Sequence, residues 1–319
     1  MNRLEIPTPA LLVDVPALDR NIARMARFFA DRPCKLRPHF KAHKTPDIAR
    51  RQLAAGSVTG LTCATVSEAE IAITFCDQLL IANEVIGADK CARVAALARS
   101  ARVTVAVDSP TGVAQLAAAA SETGVEVGVL VDVNVGQNRC GVLPGEAALA
   151  LARRVAGSSG LRLDGVMGYE GHLQPIAGRA EREEKARSAM QQLVDTAKLL
   201  RANGLRCEIV SGGGTGTFDI SGTVDGVTEI QAGSYALMDT DYARLDLPFE
   251  HAFSVLGTVV SRSGDRCVID AGHKSATKDH GLPSVKGIAG ATVTSLNDEH
   301  AIIALPAIRK KREEAFQEE

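Results

Sequence analysis

The chain has 319 residues, 45% of them hydrophobic, and its 36 basic and 38 acidic residues leave a formal net charge of −2. This balance is typical of a globular protein and excludes a strongly basic nucleic-acid binder. No apolar run approaches the roughly 20 residues of a membrane span, and the start of the chain lacks the basic and apolar regions of a signal peptide, so a cytoplasmic protein without a membrane partner is expected.

Short apolar runs alternate with amphipathic stretches through most of the chain, a pattern typical of βα units. The spacing of Ile22, Met25 and Phe29 after Pro16 predicts a helix with one buried face. Eight runs predict strands: Leu36–His43, Gly60–Val66, Gln78–Val85, Val103–Asp108, Val125–Asn134, Leu163–Leu173, Cys207–Gly213 and Val227–Asp239. Eight parallel strands with intervening helices predict an α/β fold, a closed (β/α)8 TIM barrel rather than an open doubly wound sheet.

The pattern changes after Asp241, where short apolar runs follow one another without long helices between them. This texture predicts a second, β-rich part, and the early run Ala10–Val15 is expected to pair with it. The sequence therefore predicts a barrel over residues 16–243 and a smaller β-rich domain made of residues 1–15 and 244–319.

The first barrel strand is predicted to end in the segment Arg37-Pro38-His39-Phe40-Lys41-Ala42-His43-Lys44. Strand alternation places His39, Lys41 and His43 on one face, which in a barrel can point towards the active-site axis. A lysine on a buried strand is costly to keep charged, so it is expected to be neutralised, paired or used covalently. Lys44 is the competing lysine, but it falls off the alternation.

This segment resembles the one that carries the Schiff-base lysine in D-threonine aldolases and D-serine dehydratases. These are pyridoxal 5′-phosphate enzymes of fold type III, with an alanine racemase N-terminal-type barrel. Further motifs similar to those of the family follow in the same order: Gly136-Gln137-Asn138-Arg139-Cys140-Gly141, Ser211-Gly212-Gly213-Gly214-Thr215-Gly216, Gln231-Ala232-Gly233-Ser234-Tyr235 and Asp270-Ala271-Gly272-His273. The aldolase branch fits best, and the resemblance covers nearly the whole chain.

The resemblance implies a role for each motif. Lys41 matches the lysine that holds the cofactor, Arg139 the residue that faces the pyridine nitrogen, and Tyr169 could pack against the ring. The glycine-rich turn over residues 211–216 is expected to offer free backbone N–H groups to the phosphate of the cofactor. Barrel enzymes often bind phosphate at the carboxyl ends of their strands. Besides Lys41, Arg139 and Tyr169, the residues predicted to bind the cofactor are Ser211, Gly213, Gly214, Thr215, Gly233, Ser234 and Tyr235.

A divalent metal of the Mn, Mg or Zn type is also expected from the family, where a short Pro-x-His-x-Asp/Cys-Pro motif holds it. This sequence does not contain that motif, so its metal ligands are unknown and its β domain is interpreted as truncated relative to the family. His43 remains a candidate catalytic base beside Lys41. The residues His273, Asp298 and His300 offer alternative ligands without metal-ligand spacing, and the seven scattered cysteines are expected to be small buried apolar residues.

The leading hypothesis is a lyase that cleaves D-configured β-hydroxy amino acids, such as D-threonine, to glycine and an aldehyde. A second hypothesis is a D-serine or D-3-hydroxyaspartate dehydratase or aldolase on the same scaffold. A third is a non-catalytic barrel that binds pyridoxal phosphate, and a fourth is a truncated product with unpaired sheet edges. A homodimer is expected by analogy with barrels of this type.

Overall fold

A computed structural model describes residues 5–306 of the chain. The strands are β1 (Ala10–Val13), β2 (Lys35–Leu36), β3 (Leu61–Cys63), β4 (Gln78–Glu84), β5 (Arg102–Val107), β6 (Val127–Asp132), β7 (Leu161–Gly168), β8 (Ile209–Gly212), β9 (Glu229–Ile230), β10 (Phe253–Leu256), β11 (Val259–Ser263), β12 (Arg266–Ile269), β13 (Thr292–Leu296) and β14 (Ala301–Ala304). The α-helices are α1 (Val15–Phe29), α2 (Pro46–Ala54), α3 (Val66–Ala72), α4 (Ala88–Leu97), α5 (Pro110–Thr123), α6 (Glu146–Ala156), α7 (Arg179–Ala202) and α8 (Phe218–Ser221).

The chain divides into two compact units, one of residues 16–250 and one that combines the residues before 16 with those after 250. In the larger unit, the eight strands β2 to β9 form a parallel sheet in the order β2-β9-β8-β7-β6-β5-β4-β3. Isolated parallel bridges from Leu36 to Val58 and from His39 to Thr62 join the two outer strands. The sheet thus closes, and the predicted (β/α)8 barrel is confirmed.

Apolar side chains explain why these segments assemble. The periodic positions Ile22, Met25 and Phe29 of α1 are at most 4% exposed, as the helical spacing predicted. Inside the barrel, Leu80, Ala106, Leu130 and Met167 from four adjacent strands form one buried cluster. Such layers of apolar side chains fill the interior of a (β/α)8 barrel and leave the chemistry to its mouth. In the described part of the chain, no helix combines the length and apolarity needed to span a membrane.

The first predicted barrel strand is much shorter than expected. Strand β2 ends at Leu36, and the run predicted to continue as a strand to His43 instead forms a 3-10 helix over Phe40–Ala42. His39 caps this helix, because its Nδ1 accepts a hydrogen bond of 3.5 Å from the backbone N–H of Lys41. The prediction that His39, Lys41 and His43 share one face of a strand is therefore wrong. These residues do follow the carboxyl end of β2, as expected.

The smaller unit contains two antiparallel sheets. Strand β1 pairs with β10, with Ala10 opposite Leu256 and Val13 opposite Phe253, so the predicted pairing of the N-terminal run is confirmed. The other sheet has the strand order β11-β12-β14-β13.

Candidate active site at the carboxyl ends of the barrel strands

The predicted site residues follow the carboxyl ends of the barrel strands. Lys41 lies in the 3-10 helix after β2, Arg139 in the loop after β6, and Tyr169 directly after β7. The glycine-rich turn follows β8, and Gly233 follows β9. Parallel strands bring all of these ends to one edge, which is the edge where barrel enzymes carry their active sites.

Lys41 lies beside the ring of Tyr169, with its Nζ 5.8 Å from the ring centroid. Its side chain as a whole is exposed. Loss of hydration around the amine is nevertheless the largest cause that lowers the pKa of Lys41, and the positive charge of Arg139 lowers it further. A lowered pKa leaves more of the amine unprotonated, which is the form that attacks a carbonyl group.

The competing lysine, Lys44, is placed differently. Its side chain is 66% exposed, and its Nζ lies 2.9 Å from a carboxylate oxygen of Glu68. An exposed amine that is engaged in an ion pair is held by its partner and is less available as a nucleophile. These surroundings favour Lys41 as the reactive amine.

His43 is fixed in its neutral form by a buried chain of hydrogen bonds. Its Nδ1 accepts from the backbone N–H of Thr45 at 3.1 Å, so its Nε2 carries the proton and donates to Oε1 of Gln52 at 3.0 Å. Gln52 in turn donates to the phenol oxygen of Tyr235 at 3.0 Å. Burial is the main cause that lowers the pKa of His43. With its one lone pair occupied, His43 is poorly placed to act as the predicted base.

The glycine-rich turn after β8 is held by two buried side chains that sequence reasoning missed. Glu170, fully buried, accepts from the N–H of Gly213 at 3.1 Å and from the hydroxyls of Thr217 and Ser221 at 2.7 Å each. Gln174 accepts from the N–H of Gly216 at 2.7 Å and donates to the hydroxyl of Thr217 at 3.1 Å.

These contacts change the predicted set of phosphate-binding groups. The N–H groups of Gly213 and Gly214 are occupied, the first by Glu170 and the second by the hydroxyl of Thr217 at 3.2 Å. Across residues 5–306, the backbone N–H groups of Thr215, Gly233 and Ser234 have no hydrogen-bond acceptor. The N–H groups that are free for an anion are therefore one from the turn and two from the segment after β9, and we call these three groups the cradle of the site.

Two other predicted cofactor residues have structural partners instead. The hydroxyl of Ser211 is fully buried and accepts from Nε2 of Gln231 at 2.8 Å. The ring of Tyr235 is also fully buried, and its backbone N–H donates to the hydroxyl of Thr215 at 3.0 Å. Tyr235 thus belongs to the wall behind the cradle and is not placed to contact a ligand with its side chain.

Gly233 brings the cradle close to the segment that carries Lys41. A Cβ atom at this position would lie 2.8 Å from the carbonyl oxygen of His39 and 3.0 Å from the Cβ of Ala42. Only glycine permits this approach. The close packing places the free N–H of Gly233 next to the Lys41 segment.

Arg139 and Tyr169 complete this side of the site. The guanidinium carbon of Arg139 lies 5.8 Å from the centroid of the Tyr169 ring, the same distance as the Lys41 amine. Burial is the main cause that raises the pKa of Tyr169 to about 12, so its phenol is neutral at physiological pH. The structure therefore brings Lys41, Arg139 and Tyr169 together.

A group of acidic residues lies on the opposite part of the mouth. Glu84 ends β4, Asp108 follows β5, Asp132 ends β6 and Cys140 lies in the next loop. We call these four residues the acidic wall. Ligand atoms of Glu84, Asp108 and Cys140 all lie within 4.8 Å of one another. Burial, followed by the neighbouring Glu84 carboxylate, raises the pKa of Asp132 to about 8.

The acidic wall was not predicted from the sequence, because its members come from separate strands without motif spacing. Cys140 is half-buried, whereas all seven cysteines were predicted to be buried apolar residues. The alternative metal ligands His273, Asp298 and His300 do not form a metal-ligating group in the described part of the chain. One sequence feature could have predicted the acidic wall: each of three successive barrel strands has an acidic residue at its end or directly after it.

Comparison with known proteins agrees with this arrangement. A family model described as the N-terminal domain of alanine racemase matches residues 13–241, and a model of a serine dehydratase domain matches residues 252–314. The chain belongs to the alanine racemase N-terminal domain family. This membership supports the cofactor predicted for the barrel, pyridoxal phosphate.

Within this family, several relatives align over most of the chain. D-threonine aldolase of Arthrobacter sp. is 40% identical over 304 residues, which cover 93% of this chain and 80% of the relative. 3-Hydroxy-D-aspartate aldolase of Paracoccus denitrificans is 36% identical over 95% of this chain and 81% of the relative. The crystal structure of D-threonine aldolase from Filomicrobium marinum matches with a TM-score of 0.92 and 41% identity, covering 94% of this chain and 82% of that one.

Proposed function

We propose that this chain is a pyridoxal-phosphate-dependent lyase that cleaves D-configured β-hydroxy amino acids to glycine and an aldehyde. The observation that carries the proposal is the placement of Lys41, whose amine has a lowered pKa and whose segment packs against the cradle. The 40% identity to a D-threonine aldolase supports the reaction class.

The residues of the site fit the cofactor in three respects. The free N–H groups of Thr215, Gly233 and Ser234 suit an anionic phosphate, because backbone amides that point at one place bind anions. Lys41 would hold the aldehyde carbon covalently. Tyr169 offers a neutral aromatic face to the pyridine ring, and Arg139 supplies a fixed positive charge beside it.

The cofactor, when bound, withdraws electrons from the substrate α-carbon and so weakens the bond between the α- and β-carbons. The protein has to supply the remaining steps. Lys41 would hold the cofactor and would accept or return a proton at its amine. The guanidinium group of Arg139 offers only hydrogen-bond donors. We therefore propose that it donates to the pyridine nitrogen, which limits electron withdrawal and favours bond cleavage over transamination.

Cleavage also requires a base for the β-hydroxyl proton, and the structure favours His172 over His43 for this role. His172 lies in the 3-10 helix Gly171–Leu173 after β7. Its exposed ring packs on the loop that carries Arg139, because a Cβ at Gly136 would lie 3.1 Å from its Nε2. Neither ring nitrogen of His172 is hydrogen-bonded to any residue between 5 and 306, whereas both nitrogens of His43 are engaged.

The direct test supplies pyridoxal phosphate, D-threonine and one divalent ion at a time, and measures acetaldehyde and glycine. In parallel, borohydride reduction followed by peptide mapping locates the pyridoxyl group. We expect the label on Lys41, and we expect Lys41→Ala to lose both label and product while the matched control Lys44→Ala keeps both. A label on Lys44, or no label on the wild-type chain, would contradict the assignment.

A related substrate is the second candidate, because 3-hydroxy-D-aspartate aldolases and D-threo-3-hydroxyaspartate dehydratase are among the relatives of this chain. The same assay with D-3-hydroxyaspartate and D-serine separates the two reactions. Glycine with an aldehyde shows cleavage, whereas a keto acid with ammonia shows dehydration. A labelled Lys41 without any product from these substrates would favour the non-catalytic binding barrel.

The proposal extends to the setting of the enzyme. A homodimer is inferred by analogy with barrels of this type, and light scattering on the purified chain tests it. A cytoplasmic location is inferred because all seven cysteines are free, as is usual in reducing compartments.

A further inference from the structure

We propose that the acidic wall binds one divalent cation of the zinc class, with Glu84, Asp108 and Cys140 as its ligands and Asp132 beside them. The three ligand atoms come from the end of β4, the residue after β5 and the loop after β6, and they lie within 4.8 Å of one another. These ligands are not among the residues assigned to the cofactor, so cation binding can be tested without the cofactor.

Two other buried carboxylates of the barrel receive several hydrogen bonds from cationic and hydroxyl donors. Asp164 receives hydrogen bonds from Arg102, Arg162 and Thr104. Glu229 receives them from Arg37 and Thr59. A buried carboxylate normally requires such donors, because an unpaired buried charge is strongly destabilising.

The acidic wall lacks comparable donors. Asp132 is only 7% exposed, and the partner that acts on its carboxyl group through a hydrogen bond is the carboxyl group of Glu84 rather than a cationic or N–H donor. One oxygen of Glu84 is buried without a hydrogen-bond partner. Asp108 receives a single 3.3 Å bond from the N–H of Gly141. Arg139 is the cation close enough to act on the group, and it also acts on Lys41.

The donor set indicates the kind of ion. Two carboxylates and one thiolate combine hard and soft ligands, a mixture that suits Zn²⁺ and disfavours Mg²⁺, which prefers oxygen alone. Three protein ligands also leave a coordination position open. A Zn²⁺ ion would supply positive charge among these acidic side chains.

Cadmium titration of the chelator-treated full chain tests the ligand set. We expect one site with the ultraviolet charge-transfer band of a thiolate bound to Cd²⁺, and we expect Cys140→Ser to abolish that band. Glu84→Gln and Asp108→Asn should each weaken Zn²⁺ binding, measured by calorimetry, by about 10-fold or more. The matched controls are Cys76→Ser, another half-buried cysteine, and Glu146→Gln on the exposed surface, and both should keep wild-type binding.

A second measurement uses the unmodified protein and so does not depend on the folding of variants. Alkylation of Cys140 should slow at least about 10-fold when Zn²⁺ is added, as expected for a thiolate held by the metal, while alkylation of Cys76 should not change. Equal reactivity with and without Zn²⁺, or an intact Cd²⁺ band in Cys140→Ser, would overturn the proposal. Failure of Lys41 to take up the cofactor would contradict the proposed function and leave this result standing.

Discussion

The two sides of the barrel mouth treat buried carboxylates in opposite ways. On the cradle side, Glu170 is fully buried and receives three hydrogen bonds, which fix the glycine-rich turn. On the other side, the acidic wall presents carboxylates to one another, and one oxygen of Glu84 has no partner. The first arrangement is complete when the chain folds, whereas the second requires a proton or a cation to balance it. Burial alone therefore does not distinguish a carboxylate that stabilises the fold from one that belongs to a binding site. The number of hydrogen-bond donors around the carboxylate does distinguish them.

The largest effect is expected when Glu170 is changed to Gln. The amide nitrogen would face hydroxyl or N–H donors instead of accepting from them, so at least one buried hydrogen bond to a charged group is lost. We expect the free energy of unfolding to fall by about 3 kcal/mol, measured by urea denaturation. The affinity for pyridoxal phosphate should also fall, because Glu170 holds the turn that contains Thr215.

The same substitution at Glu84 is the matched comparison. Glu84→Gln removes a negative charge from a group of like charges and gives Asp132 a possible donor. We expect the metal-free chain to change by less than about 1 kcal/mol, or to become more stable. An equal decrease in the free energy of unfolding of Glu170→Gln and Glu84→Gln would contradict the proposed difference between the two sides of the mouth.

The next effect concerns pH. Folded Asp132 keeps its proton up to a pKa of about 8, whereas the unfolded carboxyl releases it near pH 4, about its ordinary pKa. The folded state therefore binds more protons between these values, and its stability is expected to decrease as pH rises from about 4 to about 8.

Asp132→Asn should remove this part of the pH dependence, which amounts to at most about 1.4 kcal/mol per pH unit. Denaturation midpoints measured across this range, with a chelator present, would show it. Asp195→Asn, on the exposed face of α7, is the control and should keep the wild-type slope. An unchanged slope in Asp132→Asn would mean that this carboxyl is ionised throughout.

Much of the fold could be predicted from the sequence, because hydrophobic periodicity reports burial directly. All eight barrel strands and the pairing of the N-terminal run followed from it. The end of β2 did not, since apolar residues such as Phe40 are buried in the 3-10 helix as they would be in a strand. A pattern of burial does not distinguish these two conformations over a few residues.

The candidate site could be proposed from the sequence where its residues belong to compact motifs, as Lys41 and Arg139 do. The rest of the site could not be predicted, because it depends on which hydrogen-bond donor is paired with which acceptor. The glycine-rich turn has free and occupied N–H groups that look identical in sequence, and Glu170 decides between them from 43 residues away. The acidic wall is likewise assembled only by the barrel.

A smaller effect is expected at Arg139, which lies between the two sides. Its charge is the second cause that lowers the pKa of Lys41, after burial. Arg139→Gln should therefore raise that pKa. Competitive labelling of amines across pH measures the shift, and Lys44 in the same sample is the internal control. A decrease would mean that Lys41 is governed by the carboxylates rather than by Arg139.

The smallest effect is expected at Cys140. Without metal, Cys140→Ser should change the free energy of unfolding by no more than about 0.5 kcal/mol, because the residue is only half-buried. Cys63→Ser, at a fully buried position, should cost about 1–3 kcal/mol, since a hydroxyl would be buried in an apolar place. Thermal denaturation of both variants separates the cases. A thiol that contributes almost nothing to the fold, yet lies among three carboxylates, is retained by its chemistry; a large loss in Cys140→Ser would instead make it a packing residue.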